Sequence, residues 1–192
     1  MEIQALREKA QKLKESGLSE YEIASELNVA EETVAWLLSK KESEKPLKDV
    51  KIGWRSIGVY PTRISLIASA MSDIIVEEMG KRDLQIDTVV GVSINGIPYA
   101  TFIAEELDLE LAIFRPHVEK VGVFSSNYAS VTEKNVVIVD DVVGSGKTMR
   151  RAIAATKKEG GNPVLCLALV NKRSQNDIEG VPLRALVRTR AI

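Results

Sequence analysis

The sequence contains one cysteine, Cys166, and one histidine, His117, among 192 residues. A single cysteine excludes a disulfide framework and a cysteine-based zinc site, and a single histidine argues against a histidine-based metal site. No apolar run approaches the roughly 20 residues that a membrane-spanning helix needs, and the charged N-terminal segment is unlike a secretory signal. These absences predict a cytoplasmic protein that is reduced and has no membrane partner.

The sequence also lacks an excess of charge of either sign. It has 26 basic and 27 acidic residues, a net charge of −1 with histidine neutral, which does not favour a strongly basic nucleic-acid-binding protein. Residues 1–50 carry a net charge of −3, and residues 51–192 carry +2. Hydrophobic residues make up 45% and charged residues 28%, as in ordinary soluble globular proteins, so a disordered chain is excluded.

The length of the chain and a change of pattern near residue 50 predict two unequal domains. The charged segment 41–50 contains a proline and is expected to link an all-α domain, residues 1–45, to an α/β domain, residues 51–192. Continuous apolar runs separated by helical stretches predict a parallel sheet with helices on both faces. The predicted strands are 88–92, 111–114, 136–139, 164–170 and 183–188, and the predicted helices are 62–80, 98–107 and 148–159.

The most informative segment runs from Val136 to Thr148 and reads VVIVDDVVGSGKT. A predicted buried strand leads into the adjacent carboxylates Asp140 and Asp141, and a loop of small residues then precedes a helix. Ligands of open α/β sheets bind at the carboxyl ends of parallel strands, and small residues before a helix let backbone N–H groups approach a phosphate. The carboxylates would then face ribose hydroxyls or a metal ion held by the phosphates.

Two other interpretations of this segment are open but weaker. The letters GSGKT resemble the end of a Walker A loop, but Asp141 stands where that motif requires a glycine, five positions before Gly146. A tight turn without any ligand would leave two adjacent carboxylates repelling each other. Both alternatives explain the acidic pair less well than a phosphorylated ribose does.

At these residues the sequence resembles the type I phosphoribosyltransferases, whose phosphoribosyl-pyrophosphate signature has the same order of apolar, acidic and small residues. Gly144 stands where that family usually carries Thr or Ala. The resemblance covers about residues 55–190 and implies the corresponding α/β fold and binding of phosphoribosyl pyrophosphate with Mg²⁺. The implied binding residues are Asp140 and Asp141 at the ribose and, indirectly, the Mg²⁺; Val143, Gly144, Ser145, Gly146, Lys147 and Thr148 at the 5′-phosphate; Ser93, Ile94, Asn95 and Gly96 at the pyrophosphate; and Arg115.

The segment 116–134 corresponds to the long flexible loop that closes over the site in orotate phosphoribosyltransferases. Those enzymes carry Arg-Lys after the strand and then Lys-Asp-His-Gly, whereas here Pro116 replaces the first lysine and Val121 replaces the histidine. Glu119 takes the position of the catalytic lysine unless a shift by one residue brings in Lys120. A carboxylate there would repel pyrophosphate, which disfavours catalysis but permits ligand binding. If the chain is an active transferase, Lys120 is the candidate catalytic residue.

The N-terminal residues predict three helices, over 2–15, from a capping box at Ser19 and Glu22 to Leu27, and over 30–40. Residues 20–39 match the helix-turn-helix pattern, in which the second helix enters the major groove of DNA. The packing positions hold Ile23, Ala24, Leu27, Val29, Val34 and Leu37. The expected DNA-facing residues are Ala30, Glu31, Glu32, Ala35, Trp36 and Ser39, with Thr33 near a phosphate.

Two observations work against DNA reading by these helices. The packing pattern also fits a three-helix dimerisation module, and Glu31 and Glu32 place negative charge where phosphate contacts need cations. A glutamate can accept a hydrogen bond from a cytosine amino group, so either residue is able to read a base once a dimer is docked. Useful affinity for double-stranded DNA is therefore expected from a homodimer or tetramer.

A helix-turn-helix followed by a phosphoribosyltransferase-like domain resembles the archaeal orotate-phosphoribosyltransferase-like transcriptional regulators over nearly the whole chain. The resemblance implies a DNA-binding regulator of metabolic genes, of sugar or nucleotide metabolism, with phosphoribosyl pyrophosphate or a nucleotide as effector. An active orotate or purine phosphoribosyltransferase is the alternative, and an interaction protein with a vestigial site is a third possibility. The departures at residues 116–121 favour the regulator.

Overall fold

The computed structural model describes residues 2–39, 50–117 and 122–189. The chain forms two compact units, with Met1–Gly53 in the first and Trp54–Thr189 in the second. Each unit has a hydrophobic core of its own. Within the described ranges, no helix is long and apolar enough to cross a membrane.

The first unit contains three helices, α1 (Glu2–Glu15), α2 (Glu20–Leu27) and α3 (Glu31–Leu38). The predicted capping box starts α2, because the Ser19 side chain accepts from the Glu22 backbone and the Glu22 carboxylate accepts from the Ser19 backbone at 2.8 Å. Asn28 ends α2 in the left-handed conformation, with φ of 53°. The core of the unit consists of Ala10, Ile23, Ala24, Leu27, Val34 and Leu37. The predicted helices and their packing positions are confirmed.

The second unit contains a seven-stranded sheet with helices on both faces. Its elements in chain order are α4 (Arg55–Gly58), α5 (Pro61–Arg82), β1 (Thr88–Val92), α6 (Gly96–Glu106), β2 (Glu110–Arg115), β3 (Val123–Phe124), β4 (Asn135–Val143), α7 (Lys147–Lys158), β5 (Asn162–Asn171), β6 (Asp177–Ile178) and β7 (Val181–Arg188). The strand order is β3-β2-β1-β4-β5-β7-β6. The five inner strands are parallel, and the short strands β3 and β6 are antiparallel additions at the two edges.

Successive side chains of a strand point to opposite faces of the sheet, so the buried residues of the strands pack against helices on both faces. On one face Val90, Ile138 and Cys166 pack with Met149 of α7. On the other face α6 lies so close to β1 that a Cβ on Gly91 would be 3.0 Å from the Ala100 Cβ. The continuous apolar character of the inner strands follows from this double burial.

Several predicted element ends differ from the structure, and two of the differences have a clear cause. Helix α5 continues through Gly80 to Arg82, and the capping residue Asp83 adopts the left-handed conformation with φ of 47°. Glycine is tolerated inside a helix at a cost of about 1 kcal/mol, so it did not mark the end. Strand β4 continues beyond Val139 as far as Val143, because its pairing with β5 persists to the end of both strands.

The segment 116–134, predicted to be a long flexible loop, is partly ordered against the sheet in its described part. Strand β3 pairs with β2, and the Ala129 N–H donates to the Leu111 carbonyl at 3.0 Å. Val131 is fully buried in the core. Residues 118–121, which include Glu119 and Lys120, lie outside the described residues.

Candidate functional site

The acidic pair Asp140 and Asp141 lies near the carboxyl end of β4, in the middle of the sheet. Both residues are buried, with 8% and 5% of their surfaces exposed. The Asp141 N–H donates to Asp140 Oδ1 at 2.9 Å. Because neighbouring residues of a strand point to opposite faces, Asp140 faces the side of α7 and Asp141 the side of α6.

Burial alters the ionisation of both carboxyl groups. Loss of hydration, together with the charge of Asp141, raises the pKa of Asp140 well above its ordinary value. Burial also raises the pKa of Asp141, although hydrogen bonds from Trp54 and Asn95 oppose that rise. Two adjacent carboxyl groups out of water are unfavourable unless something compensates for them, and such pairs are typical of functional sites.

Two side chains donate to the same oxygen of Asp141. Trp54 Nε1 lies 2.7 Å and Asn95 Nδ2 lies 3.1 Å from Asp141 Oδ2. The Trp54 ring leans on Tyr99, with the ring centroids 5.8 Å apart at 59°. The Tyr99 hydroxyl is buried without a hydrogen-bond partner among the described residues, and desolvation together with the Asp141 charge raises the Tyr99 pKa to about 12.

The turn Ser93–Gly96 joins β1 to α6 and brings Asn95 to Asp141. The Ser93 N–H donates to the Phe114 carbonyl at 2.9 Å, which fixes the turn to the end of β2, and the Ser93–Ile94 peptide is cis. Gly96 is required by close packing, because a Cβ there would collide with the Val139 carbonyl of β4. Of the four residues predicted here, Ile94 is mostly exposed to solvent.

The small-residue loop Gly144–Gly146 follows β4 and opens α7. Gly146 has φ of 79°, a conformation that favours glycine, whereas a Cβ on Gly144 would meet nothing within 4 Å. The family's usual Thr or Ala would therefore fit at position 144. The N-cap of α7 is Gly146, which has no side chain, and the first helical N–H, that of Lys147, donates to Ser145 Oγ at 3.4 Å. Backbone N–H groups at such a helix start can also bind an anion. The Val143 side chain is buried in the core because β4 runs through this residue, which leaves its backbone as the part that could contact a ligand.

Arg173 joins this loop although the sequence analysis did not identify it. Its Nη1 donates to the Ser145 carbonyl at 2.5 Å, and its backbone N–H donates to Asn171 Oδ1 at 2.8 Å. The residue follows β5, which pairs in parallel with β4, so both strands end at the same edge of the sheet. The letters Asn-Lys-Arg after the predicted strand 164–170 were the available signal.

Arg115 ends β2 with an exposed side chain and pairs with Val123 of β3. It lies at the same edge of the sheet as the acidic pair, because β2, β1 and β4 run parallel. The positions predicted to replace the enzymes' catalytic loop, Glu119 and Lys120, lie outside the described residues. The described part of the site consists of β4, the two turns beside it and Arg173.

The acidic pair could contribute to binding a metal ion whose other ligands come mainly from a bound phosphorylated molecule. No group of three or more His, Cys, Asp or Glu side chains that fits a metal ion occurs in the described part of the chain. Mg²⁺ is commonly bound by one or two carboxylates together with substrate phosphates and water. The residues present match that indirect mode of binding through a phosphorylated ligand.

Helix α3, the expected reading helix, presents only part of the predicted surface. Glu32 and Ala35 are exposed, whereas Ala30, Glu31, Trp36 and Ser39 are half-buried. Thr33, which was predicted to lie near a phosphate, is 8% exposed, because its position in the first turn faces the core of the unit.

An arginine of α1 lies beside the C-terminal half of α3. The Arg7 guanidinium is 5.5 Å from the centroid of the Trp36 ring, and its Nη1 donates to the Ser39 carbonyl at 2.8 Å. The arginine therefore places positive charge next to two of the predicted DNA-facing residues. Sequence spacing alone does not identify it, because the two helices lie far apart in the chain.

Comparison with known proteins defines the class of the second unit. The family described as the phosphoribosyl transferase domain matches residues 53–179. Orotate phosphoribosyltransferase from Aeropyrum pernix has the same fold, with a TM-score of 0.58 and 23% identity over 77% of this chain and 83% of that one. Adenine phosphoribosyltransferase from Thermoanaerobacter pseudethanolicus gives a TM-score of 0.61 at 14% identity, over 77% of this chain and 92% of that one. The predicted type I phosphoribosyltransferase fold is confirmed.

Relatives that match almost the whole chain narrow the class further. The transcriptional regulator GfcR of Thermoplasma acidophilum is 53% identical over 99% of this chain and 97% of its own length. The regulator of the same name from Picrophilus torridus is 49% identical over 97% of each chain. The chain belongs to the family of these transcriptional regulators, which confirms the resemblance inferred from the sequence.

Proposed function

We propose that this chain is a DNA-binding transcriptional regulator of metabolic genes whose phosphoribosyltransferase domain binds phosphoribosyl pyrophosphate, or a nucleotide of the same shape, as its effector. The observation that carries the effector proposal is the buried pair Asp140 and Asp141, which lies near the turns Ser93–Gly96 and Gly144–Gly146. A pair of desolvated carboxyl groups is unfavourable in the ligand-free protein, and a ligand with hydroxyl donors relieves that penalty.

Each part of the site has a role in this proposal. Asp140 and Asp141 receive the ribose hydroxyls directly or through a Mg²⁺ ion that the ligand phosphates also hold. The Gly144–Thr148 segment binds the 5′-phosphate at the start of α7, where backbone N–H groups and the helix dipole favour an anion. The Ser93–Gly96 turn and Arg115 receive the pyrophosphate. Arg173 supports the 5′-phosphate loop through the Ser145 carbonyl.

The first unit supplies the proposed DNA contact, with α3 in the major groove of double-stranded DNA. The acidic first turn of α3 weakens the attraction to phosphate, so one copy is expected to bind poorly. A homodimer doubles the contact area and places two reading helices on two half-sites. A regulator of this kind acts where the chromosome lies, which in a cell without a nucleus is the cytoplasm.

Selection of duplexes from a random DNA library by the full chain, with and without Mg²⁺ and phosphoribosyl pyrophosphate, tests the whole proposal. We expect a symmetric sequence to be enriched and the enrichment to depend on the ligand. Enrichment that is unchanged after residues 30–39 are replaced by a neutral helix would remove the reading role of α3. Calorimetric titration with Mg²⁺ and phosphoribosyl pyrophosphate tests the effector separately.

An active phosphoribosyltransferase is the second candidate, because the strand, loop and helix around Asp140 retain the arrangement of that fold. In that case Lys120 is the proposed catalytic residue. The discriminating measurement is consumption of orotate or a purine base with phosphoribosyl pyrophosphate by the purified chain. Turnover at an enzyme-like rate that is lost on Lys120→Ala would establish the transferase, and binding without turnover supports the regulator.

A further inference from the structure

Trp54 connects the effector site to the point where the two units join. It is the first residue of the second unit, and its indole N–H donates to Asp141 at 2.7 Å. Two residues earlier, the Ile52 N–H lies 3.5 Å from the Asn28 carbonyl, which belongs to the turn between α2 and α3 in the first unit. Only Gly53 separates the two attachments along the chain. The residue bonded to Asp141 and the residue attached to the turn of the helix-turn-helix are therefore separated by a single glycine in the chain.

The hydrogen bonds at Asp141 set up a competition. Oδ2 accepts from both Trp54 and Asn95, and a carboxylate oxygen has about two lone-pair positions. A ribose hydroxyl or a metal ion that approaches this oxygen must displace one of the two donors. Trp54 is half-exposed, so its indole can be solvated after release, whereas Asn95 lies on a turn fixed by the packing of Gly96.

The segment that contains Trp54 lies at the surface of the second unit. None of the four residues of α4 is buried, and no side chain caps the helix among the described residues. The Trp54 carbonyl accepts from the Ile57 and Gly58 N–H groups at 2.8 and 3.1 Å, so the turn is built on this residue. Gly58 lies directly under the indole, because a Cβ there would be 2.6 Å from Trp54 Cζ3.

We propose that the Trp54 indole is an internal competitor for Asp141, that effector binding releases it, and that its release changes the main chain at the junction with the DNA-binding unit. The proposal rests on the proposed effector function and specifies how that site is regulated. The proposal predicts the direction of two effects. Removal of the indole N–H should increase the affinity for the ligand, and it should reduce the effect of the ligand on the affinity for DNA. A tryptophan with a merely structural role would weaken ligand binding when removed.

The first experiment follows Trp54 fluorescence in the full chain carrying Trp36→Phe, which leaves one tryptophan of the two. We expect Mg²⁺ with phosphoribosyl pyrophosphate to shift the emission to longer wavelength as the indole enters water, and to accelerate amide exchange at residues 57–59. The same titration by calorimetry reports binding independently. Binding heat without a change in emission or exchange overturns the competitor role but not the effector function. Absence of binding heat overturns both.

The second experiment uses variants of the full chain. Trp54→Phe keeps an aromatic ring but removes the N–H, and it is expected to bind phosphoribosyl pyrophosphate about fivefold more tightly, the equivalent of one hydrogen bond. Affinity for a duplex selected by the wild type should then change little when the ligand is added. Weaker ligand binding, or an unchanged effect of the ligand on DNA affinity, overturns the proposal.

Two glycine variants, Gly58→Ala and Gly53→Ala, test the proposal independently in case Trp54→Phe impairs folding. Gly58→Ala pushes on the indole without altering it, whereas a Cβ on the neighbouring Gly53 meets nothing within 4 Å. We expect Gly58→Ala to reproduce the tighter ligand binding and Gly53→Ala to match the wild type. Equal behaviour of the two alanine variants in a folded chain contradicts the displacement of Trp54.

Discussion

The adjacent carboxylates Asp140 and Asp141 are buried at the end of a parallel strand, whereas the adjacent carboxylates Glu31 and Glu32 lie in the first turn of a helix, half-buried and exposed. The helical pair needs no ligand to explain it, because acidic side chains at a helix N-terminus stabilise the helix through its dipole. Burial raises the pKa values of both members of the buried pair, and the hydrogen bonds that Asp141 accepts from Trp54 and Asn95 only oppose that rise. The same two-residue pattern therefore indicates a ligand in one unit and ordinary helix chemistry in the other.

Neutralising the buried pair should have the largest effect. Asp140→Asn with Asp141→Asn is expected to reduce the affinity for Mg²⁺ and phosphoribosyl pyrophosphate by at least about 100-fold, because charged hydrogen-bond acceptors at the ribose are lost. Calorimetry measures the affinity, and circular dichroism verifies the fold. The matched variant Glu31→Gln with Glu32→Gln should bind the ligand like the wild type. Equal affinities in the two double variants would contradict the assignment of the site.

The pH dependence of stability separates the two pairs without any ligand. The raised pKa values mean that folded Asp140 and Asp141 keep protons that the unfolded chain, with a pKa near 3.8, has already released. The free energy of unfolding should therefore fall as the pH rises from about 4 toward the raised pKa, at about 1.4 kcal/mol per pH unit for each proton. Urea unfolding across this range measures the slope. The Asn double variant should lose this fall, and the Gln double variant should retain it.

Arg173 should contribute less than the acidic pair, since it acts on the phosphate loop through one carbonyl. Arg173→Met is expected to weaken the binding of phosphoribosyl pyrophosphate about tenfold, as the loop loses an anchor and the site loses a cation. Arg188→Met is the matched control, because Arg188 contacts the Ser174 carbonyl and Asn176 instead of the loop. If Arg188→Met weakens binding as much, the effect comes from net charge.

The smallest expected effect is a change in DNA affinity caused by a substitution in the helical pair Glu31 and Glu32. Glu32→Gln removes a charge from the exposed side of α3 and should strengthen DNA binding about threefold by reducing repulsion of phosphates, with a shallower dependence on salt. Binding to a selected duplex at several salt concentrations measures it. Glu26→Gln on α2 provides an exposed comparison outside α3. If Glu26→Gln and Glu32→Gln change the affinity for DNA equally, α3 does not lie closer to the DNA than α2.

Local sequence signals predicted much of both units because local chemistry produced them. The capping box at Ser19 and Glu22, the left-handed Asn28 and the inner strands all follow from neighbouring residues. The prediction ended α5 too early because a helix tolerates an interior glycine, and it ended β4 too early because the continued pairing with β5 depends on a distant part of the chain. The burial of Thr33 was likewise not evident from the sequence, because the direction of a side chain in a short helix is decided by what it packs against.

The sequence by itself determined the class of this protein. The acidic pair followed by small residues, and the apolar spacing of the N-terminal helices, each lie within one short segment and carry their chemistry locally. Only the tertiary structure decided which side chains meet at Asp141 and at the phosphate loop. Trp54 lies 87 positions before Asp141, and Arg173 lies 28 positions after Ser145. Such contacts arise when parallel strands align their carboxyl ends at one edge, and a one-dimensional pattern does not contain that alignment.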